Sequence, residues 1–285
     1  MTDQPNAGMA EFWNGNGGKN WVSREARLEA SLKPFGQQAM AAGAIEAGQR
    51  ILDIGFGCGE SAIELAGKVG SKGQVHGVDI SVAMVEAAEK KAATKGVTNV
   101  TFECADAQTS AFAANAYDFV FSRFGVMFFD DPITAFKNIY AALKPGGRLA
   151  FICWAPRDQN AWVGLPLQVV AKHLSLPTPP GIDEPGPFSL SEESRVSGVL
   201  NAAGFADIAV KPYETAFVLG DNIDEALSFL MQLAPSGSAI NNAEADEATR
   251  ARIGVDMAAM LKSHDGDKGV SMGAAALLVT ARKEN

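Results

Sequence analysis

Between residues 50 and 153, short apolar runs rich in Val, Ile and Phe alternate with segments of helical length. That alternation predicts parallel strands joined by crossover helices. The strands fall at 50–54, 74–78, 100–104, 119–122 and 148–153. Helix punctuation fits between them. Ser81 stands where an N-cap is expected, ahead of an apolar stripe that includes Val82 and Val85, and Gly96 stands where a left-handed C-cap belongs. Pro132 opens a helix over 131–143, which the turn Lys144-Pro145-Gly146-Gly147 ends before the fifth strand.

Past residue 153 the pattern breaks. Pro156, Pro166, Pro177, Pro179, Pro180, Pro185 and Pro187 crowd a stretch that also holds Trp154, Trp162, His173 and Phe188, and this reads as a cap or lid inserted over 154–190. Periodicity then returns, with a helix over 191–203 stopped by Gly204, a strand over 208–218, helices over 224–233 and 243–262, and a final strand over 274–281. The last two strands are expected to form an antiparallel edge. The first 49 residues carry Phe12, Trp13 and Trp21 ahead of an amphipathic stretch, 24–42, expected to pack on the sheet or close over its top. The expectation is one domain over 1–285, with a helical lid at 1–49, a core at 50–153, the proline-rich insertion, and the rest of the sheet with its helices at 191–285.

Composition narrows the function classes. The 285 residues are 47% hydrophobic, which suits a folded chain with a sizeable core. With 24 Lys+Arg against 33 Asp+Glu the net charge is −9, so no broad positive field exists to attract phosphate backbones and nucleic acid is not expected as a partner. No apolar run approaches the roughly 18 to 20 residues needed to cross a bilayer. The amino-terminal stretch is polar and acidic, so a cytoplasmic location is expected. Cys58, Cys104 and Cys153 are odd in number and far apart, which points away from disulfides or a metal site and toward small buried hydrophobes.

The stretch with most chemistry in it is Ile51-Leu52-Asp53-Ile54-Gly55-Phe56-Gly57-Cys58-Gly59-Glu60, an apolar strand running into alternate glycines and then a helix. Glycines allow a sharp turn and close approach of a ligand to the backbone; taken alone, the stretch also reads as a tight strand-to-helix turn. The spacing GxGxG brings the third glycine one residue earlier than the dinucleotide fingerprint GxGxxG. Asp79 ends the second strand about twenty residues further on, where a carboxylate can accept from both hydroxyls of a ribose. Asp106 ends the third. Ligands of open parallel sheets bind outside the carboxyl ends of the strands, so Asp53, Asp79 and Asp106 would share that edge, although each is also a plausible helix cap or solvated loop acid.

These residues resemble the class I S-adenosylmethionine-dependent methyltransferases. The resemblance rests on the 51–59 stretch, Gly77-Val78-Asp79-Ile80-Ser81, Asp106-Ala107, Tyr117-Asp118-Phe119-Val120 and Leu143-Lys144-Pro145-Gly146-Gly147-Arg148-Leu149, in that order, and covers roughly residues 45 to 155. The flanks look more like a bacterial small-molecule branch. The resemblance implies a Rossmann-like, doubly wound α/β fold, with a mostly parallel seven-stranded sheet, helices on both faces and an antiparallel C-terminal edge. It implies S-adenosylmethionine as cofactor and S-adenosylhomocysteine as product, with Gly55, Gly57 and Gly59 under the methionine part and Asp53 near its amino group. Asp79 would hold the ribose and Ile80 would pack on the adenine. Asp106 would accept from the adenine amino group beside the Ala107 backbone, and Ser122 or Arg123 would line the methyl-transfer site. Phe56 is bulkier than the residue usual at its place.

Outside the cofactor motifs the chemistry is less defined. Of the three histidines, His76 lies within a strand and reads as structural, His264 lies near a polar loop, and His173 is a weak candidate for a catalytic base. Arg123 sits in an apolar run at a strand end, where it either forms a structural ion pair or binds an acidic substrate group. Trp21, Met127, Trp154, Trp162 and Phe188 are candidates, with Arg123, for the wall of an enclosed pocket suited to a lipophilic or aromatic acceptor. Two alternatives stay open: a nicotinamide-dependent (NAD(P)) oxidoreductase, and a catalytically silent S-adenosylmethionine-binding protein. A homodimer is compatible with the long late helices.

Overall fold

A computed structural model describes residues 4–285. Three helices lead: α1 (Ala7–Asn14), α2 (Asn16–Ser23) and α3 (Glu25–Ala42). The core follows as β1 (Arg50–Ile54), α4 (Glu60–Val69), β2 (Gln74–Asp79), α5 (Val82–Lys95), β3 (Val100–Cys104), β4 (Tyr117–Arg123), α6 (Pro132–Ala142) and β5 (Leu143–Trp154). The remainder is α7 (Ala161–Ala171), α8 (Glu193–Ala203), β6 (Ala206–Gly220), α9 (Ile223–Gln232), α10 (Pro235–Asn242), α11 (Glu247–Leu261), β7 (Asp265–Gly266) and β8 (Gly269–Arg282).

The strands form one sheet in the order β3-β2-β1-β4-β5-β8-β6, with β7 a two-residue addition pairing β8. The first five strands are parallel, and β8 and β6 complete the sheet antiparallel. This is the Rossmann-like doubly wound arrangement, including the antiparallel C-terminal edge. Order reverses between β1 and β4, so the crevice outside their carboxyl ends is the ligand-binding position of such sheets. Apolar side chains of β1, β4 and β5 are fully buried, among them Ile51, Leu52, Phe119, Phe121 and Phe151, as expected for central strands covered on both faces.

Several local expectations are corrected. Ser81 has extended N-cap dihedrals, but its hydroxyl donates to the Trp13 carbonyl (2.8 Å), and Asn14 Oδ1 accepts from Val82 N (3.0 Å) instead. A residue of α1 therefore caps α5. Val82 is half-exposed rather than part of a buried stripe. Cys104 is exposed because β3 is an edge strand, whereas Cys58 and Cys153 are buried. The 154–190 stretch contains a full helix, α7, in spite of Pro166, and it packs against β8, α10 and α11. Helix 243–262 is shorter than expected, with α10 formed separately before it.

The β3–β4 connection forms turns where a helix would complete the pattern. The strand face it leaves open is polar, with Gln74, Thr101 and Glu103 exposed. A cavity of about 180 Å³ there is lined by Arg50, Ile51, Gln74, Val75, His76, Thr101 and Tyr117. His76 bonds Tyr117 Oη through Nδ1 (2.7 Å) and Glu103 through Nε2 (2.9 Å), which fits its structural reading. No helix among the described residues is long and apolar enough to cross a membrane.

Candidate functional site

The β1-to-α4 turn is shaped by close approach. A Cβ on Gly55 would come within 2.7 Å of the Gly125 Cα, so the ends of β1 and β4 meet backbone to backbone. Gly57 adopts φ +60°, and its N–H donates to Asp79 Oδ2 (2.9 Å). Phe56 is accommodated by Gly77, over which its ring lies against Phe102 with centroids 4.9 Å apart. The bulk is thus absorbed by the packing, away from the turn.

Asp53 is the most perturbed acid of the site. It is fully buried; Oδ2 accepts from Ser61 Oγ (2.7 Å) and Oδ1 has no partner. Burial raises its pKa to about 7, offset in part by the Ser61 bond and the Arg123 charge. Asp79 is raised to about 6, again by burial, against the backbone hydrogen bonds it accepts. Its Oδ1 accepts from Ser81 N (2.9 Å), so this carboxylate ties the glycine turn to the end of β2.

Asp106 is already engaged. Oδ1 accepts from Asn6 Nδ2 (2.8 Å) and Gln108 N (2.9 Å), and Asn6 Oδ1 in turn accepts from Asp130 N (2.6 Å). Asn14 Nδ2 donates to the Ile80 carbonyl (3.0 Å). Helix α1 is therefore held by the strand-end residues that the resemblance assigned to the adenine. Ala107 is buried, its carbonyl accepting from Asn138. Asn6 and Asn14 were not singled out in the sequence, where isolated polar residues near a terminus carry no periodic signal.

Trp21, Glu25, Leu28, Glu29, Leu32, Gly55, Phe56, Gly57, Cys58, Glu60 and Arg123 line a cleft of about 30 Å³ over the turn. That is room for about one water, so α2 and α3 close this edge. Arg123 enters between α3 and β4 and pairs in a fork with Glu29 (3.0 and 2.7 Å).

Other candidates lie elsewhere. Ser122 is fully buried, donating to the Ile54 carbonyl (2.8 Å) and accepting from Gly125 N (3.2 Å), so it stitches β4 to β1 instead of facing a ligand. His173 ends beside α7 and bonds Asp256 of α11 (2.8 Å), outside the cleft lining. Trp154 and Trp162 are buried in an aromatic core, Trp154 stacked on Phe124 at 4.0 Å and Trp162 on Phe217 at 4.4 Å. Met127 is buried and its sulfur meets Trp154 N. Phe188 is half-buried under the Arg157 guanidinium. Phe124, read as core, is buried but adopts φ +59°, a strained conformation for a bulky residue that carries the chain into the Gly55–Gly125 contact. Among the described residues no group of three or more His, Cys, Asp and Glu could hold a metal.

A parallel sheet with a glycine turn and two buried carboxylates at its switch point defines a Rossmann-like cofactor-binding protein. Residues 51–147 match the family model described as a methyltransferase domain. The chain is 38% identical over 118 residues to aklanonic acid methyltransferase DauC of Streptomyces sp. (strain C5), covering 41% of this chain and 54% of that protein. It is 35% identical over 103 residues to demethylmenaquinone methyltransferase of Geobacillus kaustophilus, covering 36% of this chain and 44% of that one. The matched segments span about half the length of these curated relatives. The crystal structure of YcgJ from Bacillus subtilis superposes with a TM-score of 0.56 at 19% identity, covering 90% of this chain and 99% of that one, which shows a shared fold. Over its core, the chain is thus similar to S-adenosylmethionine-dependent methyltransferases of the class I type.

Proposed function

We propose that this protein transfers a methyl group from S-adenosylmethionine to a small, lipophilic or aromatic acceptor. The observation that carries the reading is the orphaned Asp53 Oδ1, a buried carboxylate oxygen beside a glycine turn. An unpaired buried anion is costly, and the ammonium of an amino-acid moiety is a fitting partner. Asp79, at the next strand end, suits a ribose through lone pairs left beside its two backbone bonds. Ile80, half-buried, suits the adenine, and Asp106 suits its amino group once Asn6 withdraws. The Gly55, Gly57 and Gly59 backbone would underlie the methionine part.

When bound, the sulfonium supplies an activated methyl group that leaves in line with the incoming nucleophile, giving S-adenosylhomocysteine. The chain's own residues orient the reactants and exclude water, which can supply much of the rate without an obligatory catalytic side chain. Leu28, Leu32 and Trp21 give the cleft apolar walls. The relatives named above act, by their names, on aklanonic acid and demethylmenaquinone, and support a small-molecule acceptor. The methyltransferase family match leaves the nicotinamide alternative without support.

The test is calorimetric titration with S-adenosylhomocysteine after a portion of the protein is unfolded and refolded to strip carried-over ligand. Saturable one-site binding, followed by methylation in a panel of aromatic acceptors, is expected. Absence of binding by correctly refolded protein refutes the cofactor assignment; binding without turnover across the panel favours a silent binding protein.

A further inference from the structure

The Arg123–Glu29 pair is built with more care than a strut between helix and sheet requires. Arg123 is the last residue of β4 and Glu29 lies on α3, and both side chains are mostly buried, 13% and 22% exposed. The Arg123 stem crosses α3 at Gly36, where a Cβ would stand 2.9 Å from its Cδ. A glycine in mid-helix costs about 1 kcal/mol relative to alanine, and here it makes the passage through which the guanidinium reaches the cleft. Among the described residues Arg123 is the one cation lining that cleft, and while Glu25 and Glu60 on the same cleft pair with Lys91 and Lys95, its own partner is Glu29. A buried ion pair is seldom the most stabilising way to join two elements, since apolar residues of similar volume do as well or better. A guanidinium fork held by one carboxylate is, however, prearranged for another.

We propose that Arg123 recognises an oxyanion on the acceptor, exchanging Glu29 for it, so that the substrate is an aromatic acid carrying a carboxylate or similar anionic oxygen. The inference rests on the methyltransferase reading above. Arg123 follows directly from the Ser122 stitch that fixes β4 against the glycine turn, so an anion in its fork lies at the switch point. The apolar remainder of the acceptor meets Trp21, Leu28 and Leu32 on the same cleft. Glu29, displaced, is left unpaired on α3, and that repulsion from the incoming anion is what Glu29→Gln removes.

The experiment uses 1-hydroxy-2-naphthoate and its methyl ester as probes, titrated into full-length protein saturated with S-adenosylhomocysteine. The acid should bind at least about tenfold more tightly than the ester, the effect of a charge-assisted bidentate contact. Arg123→Met should erase that preference while S-adenosylhomocysteine binding persists. Arg123→Lys, which keeps the charge and the stem in the Gly36 passage, should retain a reduced preference and guards against misfolding of the Met variant. Glu29→Gln should tighten the acid and leave the ester unchanged, whereas a purely structural pair would weaken both through lost stability. Equal affinity for acid and ester, no binding of either probe, or a preference that survives in Arg123→Met overturns the proposal. Failure of S-adenosylhomocysteine itself to bind is a different result, and refutes the cofactor reading instead.

Discussion

Replacing Asp53 by Asn should make the ligand-free protein more stable and less able to bind its cofactor. Burial moves this carboxyl from its ordinary 3.8 to about 7, so carrying it ionised costs the folded state on the order of 4 kcal/mol. In the unfolded chain Asp53 ionises near its ordinary value, whereas in the folded protein it holds its proton to about 7. The unfolded state therefore binds fewer protons between those values, and the contribution of Asp53 to stability falls as pH rises through that window. An Asn in its place keeps an acceptor for Ser61 but leaves an amide in place of the unpartnered oxygen, a penalty of about 1–3 kcal/mol. The variant should therefore gain roughly 1–3 kcal/mol over the wild type at about pH 8, and lose that advantage toward about pH 4. Urea unfolding of both proteins across that range measures the difference directly. In the wild type, S-adenosylhomocysteine should drive proton release at about pH 6, because its ammonium favours ionised Asp53; calorimetry in buffers of different ionisation enthalpy reads the proton count. A stability difference that does not vary with pH, or wild-type binding without proton release, refutes the reasoning.

Asp79→Ala should weaken S-adenosylhomocysteine binding by about tenfold to a hundredfold, through lost ribose contacts and a glycine turn no longer held at Gly57 N, as measured by the same calorimetry. Gly55→Ala should push β1 and β4 apart at the Gly125 Cα, lowering stability by roughly 1–3 kcal/mol in chemical denaturation; an unchanged midpoint would show that the strand ends yield freely.

The residues proposed for the cofactor stand out in the sequence because their demands are local. Asp53, the glycines and Asp79 lie within one strand–turn–helix–strand unit, and the chemistry of each follows from its place at a strand end. Asp106 was placed correctly at the third strand end, but its engagement by Asn6, 100 residues away, depends on tertiary packing that no window of sequence contains. The same holds for the pairing of Glu29 with Arg123 across 94 residues. Aromatic residues beside prolines suggest a lid, whereas Trp154 and Trp162 are buried against each other and against Phe35, Phe124 and Phe217. Helix α7 has no clear signal in the sequence because Pro166 argues against a helix interior.

The strand order also governs the sequence of events during synthesis. Strand β8, residues Gly269–Arg282, is inserted between β5 and β6, pairing with β6 along most of its length and with β5 over Ala276–Arg282. Until it emerges from the ribosome, β5 has an open flank and β6, complete at Gly220, has no neighbour in the sheet. Unpaired edges of that kind invite pairing between chains. The nascent sheet must therefore wait for β8 with its aromatic interior unsealed, and premature termination within β8 is expected to yield aggregation, not a truncated but folded domain.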